Sequence, residues 1–398
     1  MADAARDVLI TGIGMVSCLG EGSAAHWQGL MDARPVIDAN RFAPYVVHPL
    51  APIDFDKQIP KKGDQRQMEA WQRIGTYAAG LALEHAAVKG NAELLARTDL
   101  IVAAGGGERD CSVDSTILTG FRSAKNRGAF LNERLMSDLR PTLFLAQLSN
   151  LLAGNISIVH GVTGSSRTFM GEEAAGVDAV RIAAARIQAR QSDIALVGGA
   201  YNAERVDLVL LYETGGFALK TPFAPVFERG ERGGGMALGS LGAFLVLEAR
   251  DHADRRGARA LGRLSHIFCE RTRRRPGDVT AVLDQMWHRL GSSLVPERLG
   301  VVSGATGAEP ATSEESAFLR RHAGLPVEAT GTVIGHGLEG QFPMNLAVAI
   351  LALHHGRLCA PMQRSEGNAG PNDKLAQIVV TAVGHWRGEG MALVEADH

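Results

Sequence analysis

Cysteine is scarce in this sequence: Cys18, Cys111, Cys269 and Cys359 lie far apart, with no CxxC pair among them. Such spacing suggests neither a zinc centre nor a disulfide framework, and it fits a reduced, cytoplasmic setting. Net charge is nearly absent, with 41 basic against 43 acidic side chains and a formal balance of −2. No global field therefore favours nucleic acid or an anionic membrane as a partner. Long hydrophobic runs are missing as well. No stretch reaches the roughly 18 uncharged apolar residues of a membrane span, and "MADAARDVLITGIG" lacks the basic and apolar regions of a cleavable signal. No repeat with a period of about 20–50 residues is visible, which excludes solenoids and propellers.

What is present is an ordinary globular composition, 45% apolar and 21% charged over 398 residues. That length suits two or three domains or one large duplicated unit. Short apolar runs recur between helical patterns: "DVLITGIG" (7–14), "DLIVAAGGG" (99–107), "DIALVGGA" (193–200), "FLVLEA" (244–249), "LGVVSGATG" (299–307) and "QIVVTAVG" (377–384). The alternation predicts α/β layers with strands buried on both faces. Another apolar run, "GNISIVHGVTG" (154–164), reads as a strand handing over to a helix that begins near residue 174. Residues 38–66 and 216–240, broken by proline and glycine, read as loops that cover or line a site. A division near residue 250 is expected, because the chain there runs from a strand through a basic helix into the next strand.

Several local signals carry competing readings. In "GIGMVSCLG" the third glycine of a GxGxxG pattern falls on Ser17, so a tight strand-to-helix turn is preferred over a nucleotide site. Ser165 and Ser166 lack a GxSxG frame and read as turn residues. Arg271, Arg273, Arg274 and Arg275 read as a solvated face, with docking of an acidic partner as the sharper alternative. His336 lies between two glycines just ahead of an apolar helix, where the positive end of the dipole favours its neutral, hydrogen-bonding form. Glu172 and Glu173, in "RTFMGEEAAG", sit at a strand-to-helix turn of the kind that presents nucleophiles; taken locally, they cap the helix.

Together these stretches resemble the β-ketoacyl-acyl-carrier-protein synthases, condensing enzymes of the thiolase superfamily. The resemblance rests on "DVLITGIGMVSCLG", "KKGDQRQMEAWQRIG", "SDIALVGGA", "GGGMALGSLGAFLVLEARDHADRRGA", "TGTVIGHGLEG" and "VGHWRGEGMALVE", in that order along the chain. It implies an α/β, thiolase-like fold of two similar βαβαβαββ halves, residues 1–250 and 251–398, in a five-layered α-β-α-β-α core. In that family the turn carries a nucleophilic cysteine. Counts forward from Gly161 and back from Gly198–Gly199 both put that position on Glu173, with Gly176 on a family glycine three residues later. The family's first catalytic histidine falls on Ala305 and its lysine on Gly331, while the second histidine is retained as His336. The gating phenylalanine aligns with Trp386, and Ser240 replaces a glutamate of the central loop.

These departures imply a protein of fatty-acid or polyketide biosynthesis that does not elongate acyl chains alone. The leading expectation is a non-condensing partner, similar to chain-length factors, paired with a cysteine-bearing ketosynthase and shaping its acyl tunnel. A narrower form assigns it to very-long-chain acyl synthesis for lipid A. The alternative is a repurposed enzyme in which Glu173 and His336 serve decarboxylation or acyl transfer on carrier or coenzyme-A thioesters; a purely structural or regulatory homodimer is a third. In each case the resemblance implies an acidic acyl-carrier protein as client, met by Lys61, Lys62, Arg66 and Arg73, and it implies no metal or nucleotide cofactor.

Overall fold

The computed structural model describes residues 6–139, 143, 147–322, 324–359 and 374–397. The apolar runs form the strands. Among the described residues, five strands on the main path of the large sheet precede residue 250: β1 (Val8–Ser17), β2 (Asp99–Ala104), β3 (Ser166–Met170), β4 (Ile194–Tyr201) and β5 (Leu241–Ala249). Five more follow: β6 (Gly262–Glu270), β7 (Leu299–Ser303), β8 (Val327–Ala329), β9 (Gln377–Val383) and β10 (Glu389–Glu395).

Their order, β3-β2-β4-β5-β1 followed by β6-β10-β9-β7-β8, repeats one topology twice. In each set the first strand pairs antiparallel with the last, which pairs antiparallel with the fourth; the remaining two pairings are parallel. The sets meet through a short antiparallel pairing of Leu9 with Arg263 and Ile10 with Gly262. The duplication lives in topology, which explains why no sequence period announces it.

Seven helices matter for the site: α1 (Ala70–His85), α2 (Leu151–His160), α3 (Glu173–Gln188), α4 (Val206–Thr214), α5 (Asp278–Leu290), α6 (Ala311–Arg321) and α7 (Gln341–His355). α3 and α7 pack on each other and on strands of both halves, α1 covers the first half, and α5 and α6 cover the second. The result is the five-layered thiolase-like arrangement. α7 is buried on every side from Gln341 through Leu353, as a central helix apolar all round must be. Among the described residues no helix is long and apolar enough to cross a membrane.

Three sequence expectations fail locally. "GNISIVHGVTG" is mostly helix α2, not a strand, with Leu152, Ala153, Ile156 and His160 buried at helical spacing and Gly161 closing it at φ 76°. The strand is the following "SRTFM", so Ser166 opens β3 and is no turn residue. Its half-polar, exposed character hid it, because β3 is an edge strand. "GIGMVS" is likewise no turn. It lies inside β1, and its glycines admit α1: a Cβ at Gly14 would sit 2.1 Å from the Ala78 carbonyl oxygen, and one at Gly12 2.5 Å from that of Ala82.

Gly14→Ala is therefore expected to destabilise the protein by about 3 kcal/mol, the upper range for overpacking, since the obstacle is backbone. Gly63→Ala, with nothing within 4 Å, is the control and should change little. Urea denaturation of both variants checks this; equal midpoints would refute it.

Candidate active site

Glu173 is the first residue of α3, entered through Glu172 in extended-like backbone (φ −90°, ψ −139°). Its side chain is only 3% exposed, sunk between the two halves. Two glycine-rich turns close over it. The turn 335–340 lies against α3 because Gly176 has no side chain: a Cβ there would sit 2.5 Å from the Glu339 carbonyl oxygen. The turn 384–388 reaches the helix end in the same way, since a Cβ at Gly388 would meet that of Ala174 at 2.6 Å. The loop 216–240 holds His336 in register: His336 N–H donates to Ala237 O, and Gly239 N–H donates to His336 O, both at 2.9 Å.

These contacts converge on one oxygen. Glu173 Oε1 lies 2.9 Å from His336 Nε2 and 2.9 Å from His385 Nδ1, and accepts the His385 backbone N–H at 3.2 Å. Burial alone would raise the carboxyl pKa, but the charge of His385 and hydrogen bonds from both imidazoles hold it well below the usual carboxylate range. His385 responds oppositely. Burial pulls its pKa down, and the Glu173 carboxylate outweighs that and leaves it raised. The site is thus a carboxylate clamped between two imidazoles at the positive end of a helix.

His385 escaped the sequence reading, which passed to its neighbour Trp386. The ring of His385 stands edge-on to Tyr212 and Phe217, while Trp386 is 59% exposed on the rim. The arginine run is also not a uniform solvated face. Arg274 is half-buried, ion-pairs with the buried Glu389 and donates to Gly384 O, so it braces the loop that carries His385. The available signal was the pairing of an arginine run with "GEG", too remote in sequence to read locally.

The other two expected positions lie side by side. A Cβ at Gly331 would be 3.1 Å from Ala305 O, and Ala305 packs in an apolar cluster with Val226 and Ala329. Ser240 is fully buried and accepts the Ala203 N–H, a structural task. The cysteines are not among the partners of the Glu173 carboxylate. Burial pushes the Cys18 and Cys269 thiols up to about 12 and raises Cys359 as well, whereas Cys111 opens a separate helix, Cys111–Ser123.

Beside the clamp lies a pocket of about 340 Å³, walled by Trp71, Gly105, Glu172, Tyr201, Tyr212 and Glu339 among others. Glu339, a residue the sequence did not mark, has a buried Oε2 without a partner, and burial pushes its pKa up to about 8. It therefore faces the pocket as a neutral acid near pH 7. On the surface, Lys61, Lys62 and Arg66 are exposed around the short helix Lys62–Gln67. Arg73 differs from them: it is half-buried and donates to the carbonyls of Gln65 and Met68.

The clamp fixes the sign of a pH effect. The contribution of Glu173, with its depressed pKa, is complete above the ordinary glutamate value of about 4.3 and is lost as acid reaches its folded value. The contribution of His385, with its raised pKa, is complete below about 6.5 and is lost as pH climbs through its folded value. The stability advantage of wild type over Glu173→Gln should therefore be level between roughly pH 5 and 6.5 and shrink above that window. The limiting slope is about 1.4 kcal/mol per pH unit. Denaturation midpoints across pH test this; parallel curves would contradict it.

Comparison with known proteins gives the family and the fold. The family described as "Beta-ketoacyl synthase, N-terminal domain" matches residues 5–253. The 3-oxoacyl-[acyl-carrier-protein] synthase 2 of Vibrio cholerae is 25% identical over 268 residues, covering 64% of this chain and 60% of that protein, less than two thirds of its length. The actinorhodin polyketide putative beta-ketoacyl synthase 2 of Streptomyces coelicolor is 27% identical over 368 residues, covering 88% of this chain and 86% of that one. Among solved structures, the ishigamide ketosynthase/chain length factor superposes with a TM-score of 0.78 at 18% identity, covering 99% of this chain and 100% of that one, which shows the shared fold. The chain belongs to the β-ketoacyl synthase family.

Proposed function

We propose that this chain is a non-condensing subunit of fatty-acid or polyketide biosynthesis, pairing with a cysteine-bearing ketosynthase and shaping the tunnel that holds its acyl chain. The carrying observation is that Glu173 Oε1, at the nucleophile position, already receives three hydrogen bonds. Decarboxylative condensation needs a thiolate to take the acyl chain and two imidazoles to stabilise the oxyanions. Here the thiolate is a buried carboxylate, one imidazole is spent on that carboxylate, and the other position is Ala305. A carboxylate attacking a thioester yields only a labile mixed anhydride. The depressed pKa of Glu173 also weakens the alternative in which Glu173 and His336 act as a base pair, because a general base works best with a pKa near the working pH.

The exposed edge supports a partner. Among the described residues β3 ends the sheet with one side unpaired, and its last residue, Met170, and Ile158 of the adjoining α2 are exposed apolar side chains, each 71% accessible. An open strand edge with apolar flanks is a template for a second chain. Met170 and Gly171 also wall the pocket beside Glu172, so a partner on this edge would lie over the pocket. The exposed Lys61, Lys62 and Arg66 suit an acidic acyl-carrier protein, and their contribution should weaken with salt.

Mixing the full chain with a cysteine-bearing ketosynthase, acyl-carrier protein and malonyl-carrier protein tests the reading. The expected result is a stable heteromer and a longer or more uniform product than the ketosynthase makes alone; an unchanged product with no heteromer would overturn it. Met170→Arg should weaken that association about 30-fold, as for a loss of about 2 kcal/mol at an interface centre, while circular dichroism stays native. Glu173→Cys should gain a thiol that reacts with iodoacetamide, yet elongate at least about 100-fold more slowly than a synthase with both histidines, because one oxyanion donor is still absent.

A further inference from the structure

On the far side of the loop 216–240 lies a second pocket, of about 360 Å³, with Lys220, Thr221, Arg229 and Arg232 in its wall and Glu213 as its only acidic member. Arg229 is the unusual residue. It is 1% exposed, and its neighbours are carbonyls: Nε donates to Ala224 O at 2.9 Å, and Nη1 to Gly235 O at 3.2 Å and Thr306 O at 3.4 Å. Nη2 is buried without an acceptor. No carboxylate among the described residues pairs with this guanidinium. Phe223 covers it, with the ring centroid 5.4 Å from Cζ. A buried charge without a counter-charge is costly, and such charges are normally paired. Glu213 does not supply the missing charge, because it is engaged with Lys220 at 2.8 Å. Arg232, exposed on the same wall, adds a second guanidinium, and guanidinium groups bind phosphate oxygens in a planar, bidentate manner.

We propose that this pocket is an anion site for a phosphate group, bound by the Arg232 guanidinium and the Thr221 hydroxyl, with the buried, unpaired charge of Arg229 behind them and Lys220 at its rim. It lies outside the Glu173 clamp and does not depend on the chain's role as a partner subunit. The phosphate comes either free or as the ester of a carrier's pantetheine arm, two sources that share the same recognition chemistry. Isothermal calorimetry of the full chain with inorganic phosphate at constant ionic strength is the test. The expected result is saturable binding near one equivalent, weakened about tenfold or more by Arg232→Ala and measurably by Thr221→Val, as for loss of charge-assisted hydrogen bonds. Both substitutions are at the surface, so the folded state survives even where Arg229→Met does not fold. Competition by pantetheine 4′-phosphate but not by pantetheine assigns the site to a carrier arm, whereas competition by neither leaves free phosphate as its ligand. Absence of saturable binding, or binding that Arg232→Ala leaves unchanged, would overturn the site.

Discussion

The active-site region depends on one buried carboxylate oxygen. Glu173 Oε1 gathers an imidazole from the turn before α7, an imidazole from the loop before β10 and a backbone N–H from that same loop. Removing the carboxylate would leave two imidazoles facing each other in a region that excludes water. Keeping it ionised needs both of them, and the helix N-terminus adds to their effect. The Glu173 carboxylate and its two imidazoles form a buried cluster that joins α3 to the turn before α7 and the loop before β10.

That arrangement follows from the doubled topology. Two copies of one strand order put α3 and α7 in the middle layer, and the turns leading into the second half's elements then fall at the end of α3. Glycine decides how near they come. Gly176, Gly384 and Gly388 each lie where a Cβ would collide with backbone or a neighbouring side chain, and a Cβ at Gly384 would also stand 3.1 Å from Glu173 Oε2. Arg274 then fixes the second turn from outside through Glu389 and Gly384 O. The same closeness leaves little room at Glu173 itself, whereas the neighbouring pocket, with neutral Glu339 in its wall, retains space.

Much of this was legible in the sequence, for identifiable reasons. Strands buried on both faces, such as β4 and β9, announce themselves as unbroken apolar runs. Glu173 was singled out by counting between glycines and His336 by its glycine-flanked turn, and the structure brings the two within 2.9 Å of each other. The errors arose where local pattern and tertiary role diverge. α2 reads as a strand and β3 as part of a turn because a short apolar run has no decisive period and an edge strand carries polar residues. "GIG" looked like a turn because glycine's use for close helix approach leaves no different local mark. His385 was missed, and the bracing role of Arg274 was not visible in its arginine run, because their partners, Glu173 and Glu389, lie 212 and 115 residues away.

The central claim is that position 173 no longer performs a covalent step. Intact-mass spectrometry of the pure full chain, incubated with acyl-carrier protein bearing an isotopically labelled acyl chain, tests this most directly. The account predicts an unchanged protein mass and no elongated product when malonyl-carrier protein is added. A labelled acyl adduct on the chain, at Glu173 or elsewhere, or elongation by the chain alone, would contradict it.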